Sequence, residues 1–446
     1  MIDYPEYFSY KEWMWVIPAA VIVWLAFAFG QGLNIKKYQI SPLFISFVIS
    51  NLFFLTILLT FESRPTSDWS PIWIAANQMA EGEFTDGLIK GTYMHEIPYQ
   101  LGFAFVQSLV IRCFGSNYEV IRGLNLILMN LMIFCVYHFA LRKTGKHVAC
   151  FAMVSSSVFL SWTMTIGIMT NHQIGFILLY LSLYLFEKGK PLPCVLSGVS
   201  LACLHFVRPM SAIVIATIVC YSVFLFIKGK CVKRLLSNIV IFYLSFAMVC
   251  YMLDSMLLGL GYIDERMSQS SRNIYHKISY TTYDSKIDGH IADFNYDYEA
   301  YNNAYKEEMI DMIQHHPLDV VKGVTNKICR YLGLLDYGFE FTYNHDEAIW
   351  QKYPIRALYS IQWFQYVFYL VIAIYGYIKY RKTHESDLYQ IFFIGNNLVY
   401  IFVEAFSTYR FENYFYLLFL VGFGMNEFAN NKSVSSRMSK KLIVCQ

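Results

Sequence analysis

Apolar runs separated by short polar segments set the pattern of this chain. The runs cover 13–30, 43–61, 118–141, 148–167, 174–186, 194–206, 211–227, 238–258, 355–378, 388–406 and 412–428. Many reach roughly 18 residues or more, the length of a membrane-crossing helix. The pattern therefore predicts an all-α, polytopic helical membrane protein with about 11 transmembrane helices. One further run, 98–114, is ambiguous by length.

Charge placement resolves that ambiguity. Basic residues cluster at Lys36 and Lys37, at Arg142, Lys143 and Lys146, and at Lys188 and Lys190. Further clusters hold Lys228, Lys230, Lys233 and Arg234, then Lys379, Arg381 and Lys382, then Lys432, Arg437, Lys440 and Lys441. With about eleven crossings and the N-terminus outside, every cluster falls on the cytoplasmic side, as the positive-inside rule requires. A crossing at 98–114 would move each later cluster to the other side. Residues 98–114, carrying Gln100, Gln107 and Arg112, are therefore read as an external juxtamembrane or re-entrant helix.

The resulting organisation is one membrane domain over 1–430, with a basic cytoplasmic tail at 431–446. Two external segments emerge from it, at 62–97 and 259–354. The first is acidic, with Glu62, Asp68, Glu81, Glu83, Asp86 and Glu96 against Arg64 and Lys90. In the second, 298–314 has helical character, Pro317 interrupts it, and 318–331 reads as an interfacial helix. Its tyrosines Tyr296, Tyr298, Tyr301 and Tyr305 suit an interface belt or a surface over which a sugar slides. The first residues lack the basic flank of a signal peptide, so no cleavage is expected.

Composition agrees with the pattern. The 446 residues are 56% hydrophobic, 18% aromatic and 15% charged, against about 25% charged in soluble proteins. The ten cysteines show no C-x-x-C pair or Cys/His ligand spacing and read mainly as small buried hydrophobes. Cys113 and Cys329 both fall in external segments and are a candidate disulfide. His95, His315 and His316 read as surface or structural residues, because no third ligand accompanies the His315-His316 pair. No cofactor is expected, and no ligand pattern supports a divalent metal. Nothing in the charge distribution calls for nucleic acid. Membrane lipids are the expected surroundings.

The best-placed reactive group is Asp68, in Glu62-Ser63-Arg64-Pro65-Thr66-Ser67-Asp68-Trp69, where the chain leaves an apolar run. A carboxylate at the membrane boundary can take the proton of an acceptor hydroxyl. The alternative is a solvated loop residue, or an N-cap for a helix starting near Pro71. Arg208, between two apolar runs, and Arg410, before the last, are candidate phosphate ligands because a guanidinium grips phosphate oxygens in pairs. Either could instead snorkel to lipid headgroups. Glu404 stands near Arg410 and is a candidate for a sugar hydroxyl or for orienting a basic group. Asp254 reads as a structural polar contact, and Asn396-Asn397 as interhelical hydrogen bonders.

Several short motifs carry a resemblance. They are the acidic loop ending in Asp68, the segment Tyr93-Met94-His95-Glu96-Ile97-Pro98-Tyr99-Gln100-Leu101-Gly102, and Phe114-Gly115 before a helix bearing Arg122 and Asn125. Thr170-Asn171-His172-Gln173-Ile174-Gly175 and Glu404-Ala405-Phe406-Ser407-Thr408-Tyr409-Arg410 complete the set. Together they resemble Gram-positive cell-envelope proteins of the GT-C glycosyltransferase superfamily, of protein O-mannosyltransferase and aminoarabinose-transferase type. The resemblance implies a GT-C-like fold and a polyprenyl-phosphate-linked sugar donor. It also implies an inverting reaction with Asp68 as base, on a glycan or lipid-linked acceptor at the outer face. Glu96, Tyr99, Gln100, His172 and Glu404 become substrate-binding candidates, and Arg410 and Arg208 donor-phosphate ligands. The chain departs from the family at Asn171-His172, where many members carry a second acid; His172 or Glu96 is the candidate substitute.

Two other functions fit the same frame. A polymerase or ligase of lipid-linked polysaccharide repeat units would place its chemistry in the 259–354 loop and leave Asp68 dispensable. A flippase or transporter would show inverted repeats and broken helices around a midplane charge, and the sequence shows neither pattern.

Overall fold

The computed structural model describes residues 14–34, 42–60, 65, 68–229, 232–264, 266, 291–332, 349–385, 387–402 and 410–444. Among these the secondary structure is helical, with no strand. Every predicted apolar run carries a helix. In chain order they are α1 (Val16–Asn34), α2 (Pro42–Thr60), α3 (Trp69–Glu81), α4 (Tyr93–Glu96), α5 (Leu101–Phe114) and α6 (Tyr118–Lys143). There follow α7 (Lys146–Ser157), α8 (Leu160–Thr163), α9 (His172–Glu187), α10 (Pro191–Val207), α11 (Ser211–Ile227) and α12 (Val232–Gly259). The last five are α13 (Tyr298–His315), α14 (Pro317–Leu332), α15 (Ile349–Thr383), α16 (Leu388–Phe402) and α17 (Tyr414–Val444).

Four helices among the described residues are long and apolar enough to cross a membrane, and a bent pair makes up to five. Others are shorter: Leu43–Leu59, His172–Glu187, Pro191–Val207, Ser211–Ile227 and Leu388–Phe402. At 1.5 Å per residue, 17 residues reach about 26 Å, just short of a ~30 Å hydrocarbon core. Length alone therefore yields a smaller number than the run count, and the protein is a multi-pass membrane protein on either measure.

The bent pair, Lys146–Ser157 with Leu160–Gly167, turns through 54°. A break inside a span releases backbone groups that lipid cannot satisfy. Gln365, on α15 and wholly buried, meets that need. It accepts from the Leu160 amide at 3.0 Å and donates to the Val158 carbonyl at 2.8 Å. Two motif residues on α6 serve the same region. Asn125 donates to the carbonyls of Ile166 and Ile168, at 3.1 and 2.6 Å. Arg122 is paired with Glu119 at 2.7 Å and donates to the Leu58 carbonyl at 2.6 Å.

Among the described residues, Arg142, Lys143, Lys228 and Arg234 gather at one end of the bundle. Arg142 and Lys143 close α6 on Glu187 at 2.6 and 2.5 Å, and Lys143 also reaches Asp387 at 3.5 Å. Lys228 pairs with Glu385 at 2.6 Å, and Arg234 donates to the Gly189 carbonyl. The ends of α6, α9, α11, α12 and α16 meet there. The opposite end carries the start of α9, the end of α10 and the turn before α17.

Two local expectations need correction. Tyr301 and Tyr305 form neither a belt nor an open surface, because they are buried against each other with Phe294. Cys113 and Cys329 are both free and exposed, so the candidate disulfide is not formed. Asn396 and Asn397 do bond between helices, to Asn413 at 3.1 Å and Tyr331 at 2.9 Å.

Candidate active site

At the end away from the basic clusters, the turn before α9 meets the end of α10 and the turn before α17. Gly175 makes the meeting close. A Cβ there would stand 3.1 Å from the Arg208 side chain, so a larger residue would push that chain a few tenths of an ångström off α9. Gly102 does the same on the other side of α10. A side chain at 102 would collide with the Phe206 carbonyl, a backbone atom that cannot swing away. Gly102→Val is accordingly expected to cost about 1–3 kcal/mol or more, read as a lower thermal midpoint and lower yield in detergent.

Arg208 lies at the centre of this junction. Its Nε is 3.0 Å from Glu412 Oε1 and 3.2 Å from Met210 Sδ. Its Nη1 donates to Asn171 Oδ1 at 3.0 Å and contacts His172 Nε2 at 3.3 Å. His172 Nδ1 lies 3.1 Å from the same Glu412 oxygen. Arginine can only donate, so Nε2 accepts and Nδ1 bears the proton given to Glu412. The three residues close a hydrogen-bonded ring containing one cation, one anion and one neutral imidazole. That balance allows a carboxylate whose side chain is 0% exposed to remain inside the protein.

Glu412 supplies a carboxylate at the turn whose sequence reads Asn171-His172. It arrives from 240 positions along the chain. No local spacing signals this contact. The weaker signal was Arg410-Phe411-Glu412-Asn413, a charged cluster at the edge of an apolar run, because charges placed there are costly and usually paired.

Asn171 also links the ring to the segment that leads into α5. Its amide donates to the Val207 carbonyl at 2.9 Å and to Gln100 Oε1 at 3.3 Å. Gln100 is followed by α5, and Tyr99 lies beside Tyr93, whose hydroxyl is hydrogen-bonded to Asp68. Burial first, then the Asp68 carboxylate, hold the Tyr93 hydroxyl well above the ordinary phenol range. Tyr93 therefore keeps its proton and donates to Asp68. Asp68 itself is exposed at the head of α3. Asp68 occupies the N-cap position of α3, but its side chain makes no capping hydrogen bond there. Trp69 next to it is buried, edge-on to Phe103 at 6.3 Å.

The remaining candidates separate. Glu96 is half-buried close to Tyr301 of α13. Arg410 is buried, with its guanidinium carbon 5.0 Å from the centre of the Tyr366 ring and its charge close to Tyr331. Tyr331 accepts from Asn413 at 2.8 Å, so Arg410 and Glu412 sit in one turn but face different partners. Glu404 lies outside the described residues. Arg112 is a structural ligand, donating to the Met79 and Ala80 carbonyls at the end of α3. Among the described residues no three His, Cys, Asp or Glu side chains are grouped to hold a metal.

Residues 99–255, about a third of the chain, match the family described as dolichyl-phosphate-mannose-protein mannosyltransferase. The matched stretch contains Tyr99, Gln100, His172 and Arg208. The fold is similar to that of the archaeal oligosaccharyltransferase AglB from Archaeoglobus fulgidus, in complex with an inhibitory peptide and a dolichol-phosphate. The TM-score is 0.50 at 13% identity, over 92% of this chain and 52% of that one. The chain thus spans about half the length of that relative. No curated protein sequence matches. The fold is GT-C-like, the architecture shared by these membrane glycosyltransferases.

Proposed function

We propose that the protein is a membrane glycosyltransferase that moves a sugar from a polyprenyl-phosphate-linked donor to an envelope glycan or lipid-linked acceptor on the outer face. The observation that carries this reading is the continuous polar connection Glu412–Arg208–Asn171–Gln100, beside Tyr99, Tyr93 and Asp68, at one end of a GT-C-like bundle. The positive-inside rule makes the opposite, basic end cytoplasmic and this end external. It also places the N-terminus outside and the C-terminal tail inside, with about eleven crossings.

In this reading Asp68 accepts the proton of the acceptor hydroxyl. The acceptor oxygen bonds to the anomeric carbon as the bond from that carbon to the phosphate oxygen breaks. Polyprenyl phosphate leaves with the electron pair, and configuration inverts. Arg410 takes the growing phosphate charge, because Arg208 already carries the Glu412 carboxylate at 3.0 Å. Arg208 and His172 shape the floor of the donor site, with Tyr99, Gln100 and Glu96 towards the sugar.

The test is transfer by the purified full chain in liposomes. Radiolabelled polyprenyl-phosphate mannose is supplied first, then other polyprenyl-phosphate sugars. Release of polyprenyl phosphate is expected with at least one donor. Surface glycan from cells lacking the protein should lose a sugar residue by mass spectrometry. A glycan of unchanged composition, with no donor consumed, would overturn the proposal.

A further inference from the structure

Helices α13 and α14 leave part of their apolar side chains open, at Ile310, Ile313, Leu318 and Val321. Successive residues of a helix are turned by about 100°, which divides α14 into three sectors. The sector facing the bundle holds Gly323, Lys327 and Tyr331, with Lys327 and Tyr331 both 0% exposed. Lys327 donates to the Phe402 carbonyl at 3.3 Å, seating the helix on the end of α16. A second sector is polar and open, with Asp319 and Lys322 paired at 3.1 Å and Asn326 beside them. The third is apolar and equally open, with Leu318 74% and Val321 61% exposed.

A helix lying on a protein in water buries leucine and valine and leaves lysine out. Here Lys327 is inside and Leu318 and Val321 are outside, with Val320, Val324 and Ile328 half-buried. Across the turn at Pro317, α13 extends the apolar strip with Ile310 and Ile313, 42% and 53% exposed. Helix α14 sits on the end of α16 through Lys327 and Tyr331, and α16 itself exposes Ile394, Leu398 and Phe402. Both helices thus present open aliphatic side chains, as a lipid-covered surface does.

We propose that α13 and α14 lie on the bilayer, with Ile310, Ile313, Leu318 and Val321 in the boundary between headgroups and acyl chains. Asp319, Lys322 and Asn326 face water. A helix with one apolar and one polar open side is stable in that boundary. Through Tyr301 beside Glu96 and Tyr331 beside Arg410, the same hairpin couples the membrane surface to two walls of the candidate site. The inference concerns the surface alone and stands independently of the reaction proposed above.

The experiment uses the full chain in phosphatidylcholine–phosphatidylglycerol vesicles. Cys113, Cys220, Cys231, Cys329 and Cys445 are changed to serine, and single nitroxide labels are attached after Leu318→Cys, Val321→Cys, Lys322→Cys or Asn326→Cys. Labels at 318 and 321 should be relaxed severalfold more by oxygen, which partitions into lipid, than by a water-soluble nickel chelate. Labels at 322 and 326 should show the reverse. Equal access of the nickel chelate to all four overturns the proposal. So does immobilisation of 318 and 321 with access to neither reagent, which would mean that another protein surface covers the strip.

Discussion

Asp68→Asn is expected to lower sugar transfer by about 10²- to 10⁴-fold, the usual contribution of a positioned general base, with no loss of folded protein. The structure explains why the fold should tolerate the change. Asp68 is exposed and makes no capping bond to α3. Its described partner is the Tyr93 hydroxyl, which can donate to the amide oxygen of asparagine as it does to the carboxylate. The substitution removes the proton acceptor and keeps that hydrogen bond. Initial rates of polyprenyl phosphate release in liposomes, at matched protein level, give the answer. Transfer at the wild-type rate would sink the role of Asp68 and favour the polymerase or ligase reading, in which Asp68 is dispensable.

The second large effect is expected at the buried ring. Glu412→Ala leaves the Arg208 cation inside the protein without its carboxylate, and Arg208→Ala leaves the Glu412 anion. Breaking a buried pair from one side costs about 3–5 kcal/mol. Either variant should show a markedly lower thermal midpoint in detergent, or fail to accumulate. The double variant Arg208→Met with Glu412→Leu removes both charges together, and apolar replacements of buried pairs are often neutral. It should regain most of the stability while transfer stays low. Single variants as stable as wild type would show that the ring does not hold α9, α10 and α17 together. A double variant with full activity would remove the ring from the donor site.

Much of the architecture was legible before any coordinates. A run such as 118–141 must be a helix in lipid, because no other local structure satisfies its backbone. The basic residues after those runs, from Arg142 to Lys382, marked one end of the bundle. The structure collects Arg142, Lys143, Lys228 and Arg234 at that end through Glu187, Glu385, Asp387 and Gly189. Asn396 and Asn397 were readable as interhelical hydrogen bonders, because an amide inside a span has few other partners.

The site was legible only in parts. Asp68, His172 and Arg208 stood out as polar residues at the edges of apolar runs, but their partners did not. Glu412 opens the last apolar run, and its meeting with His172 across 240 positions has no local signature. The tyrosines of α13 misled for a related reason. Spacing shows that Tyr301 and Tyr305 share a face of the helix, but it does not say whether that face meets lipid, water or Phe294.

Hydropathy thus determined the class and the positions of the helices, since lipid imposes its requirements on each segment separately. Tertiary structure alone supplied the carboxylate at the Asn171-His172 turn, the backbone rescue by Gln365 and the burial of Lys327. Each of these is a contact between distant segments, and its stability comes from matching a buried charge or a freed backbone group with a partner that only folding brings within reach.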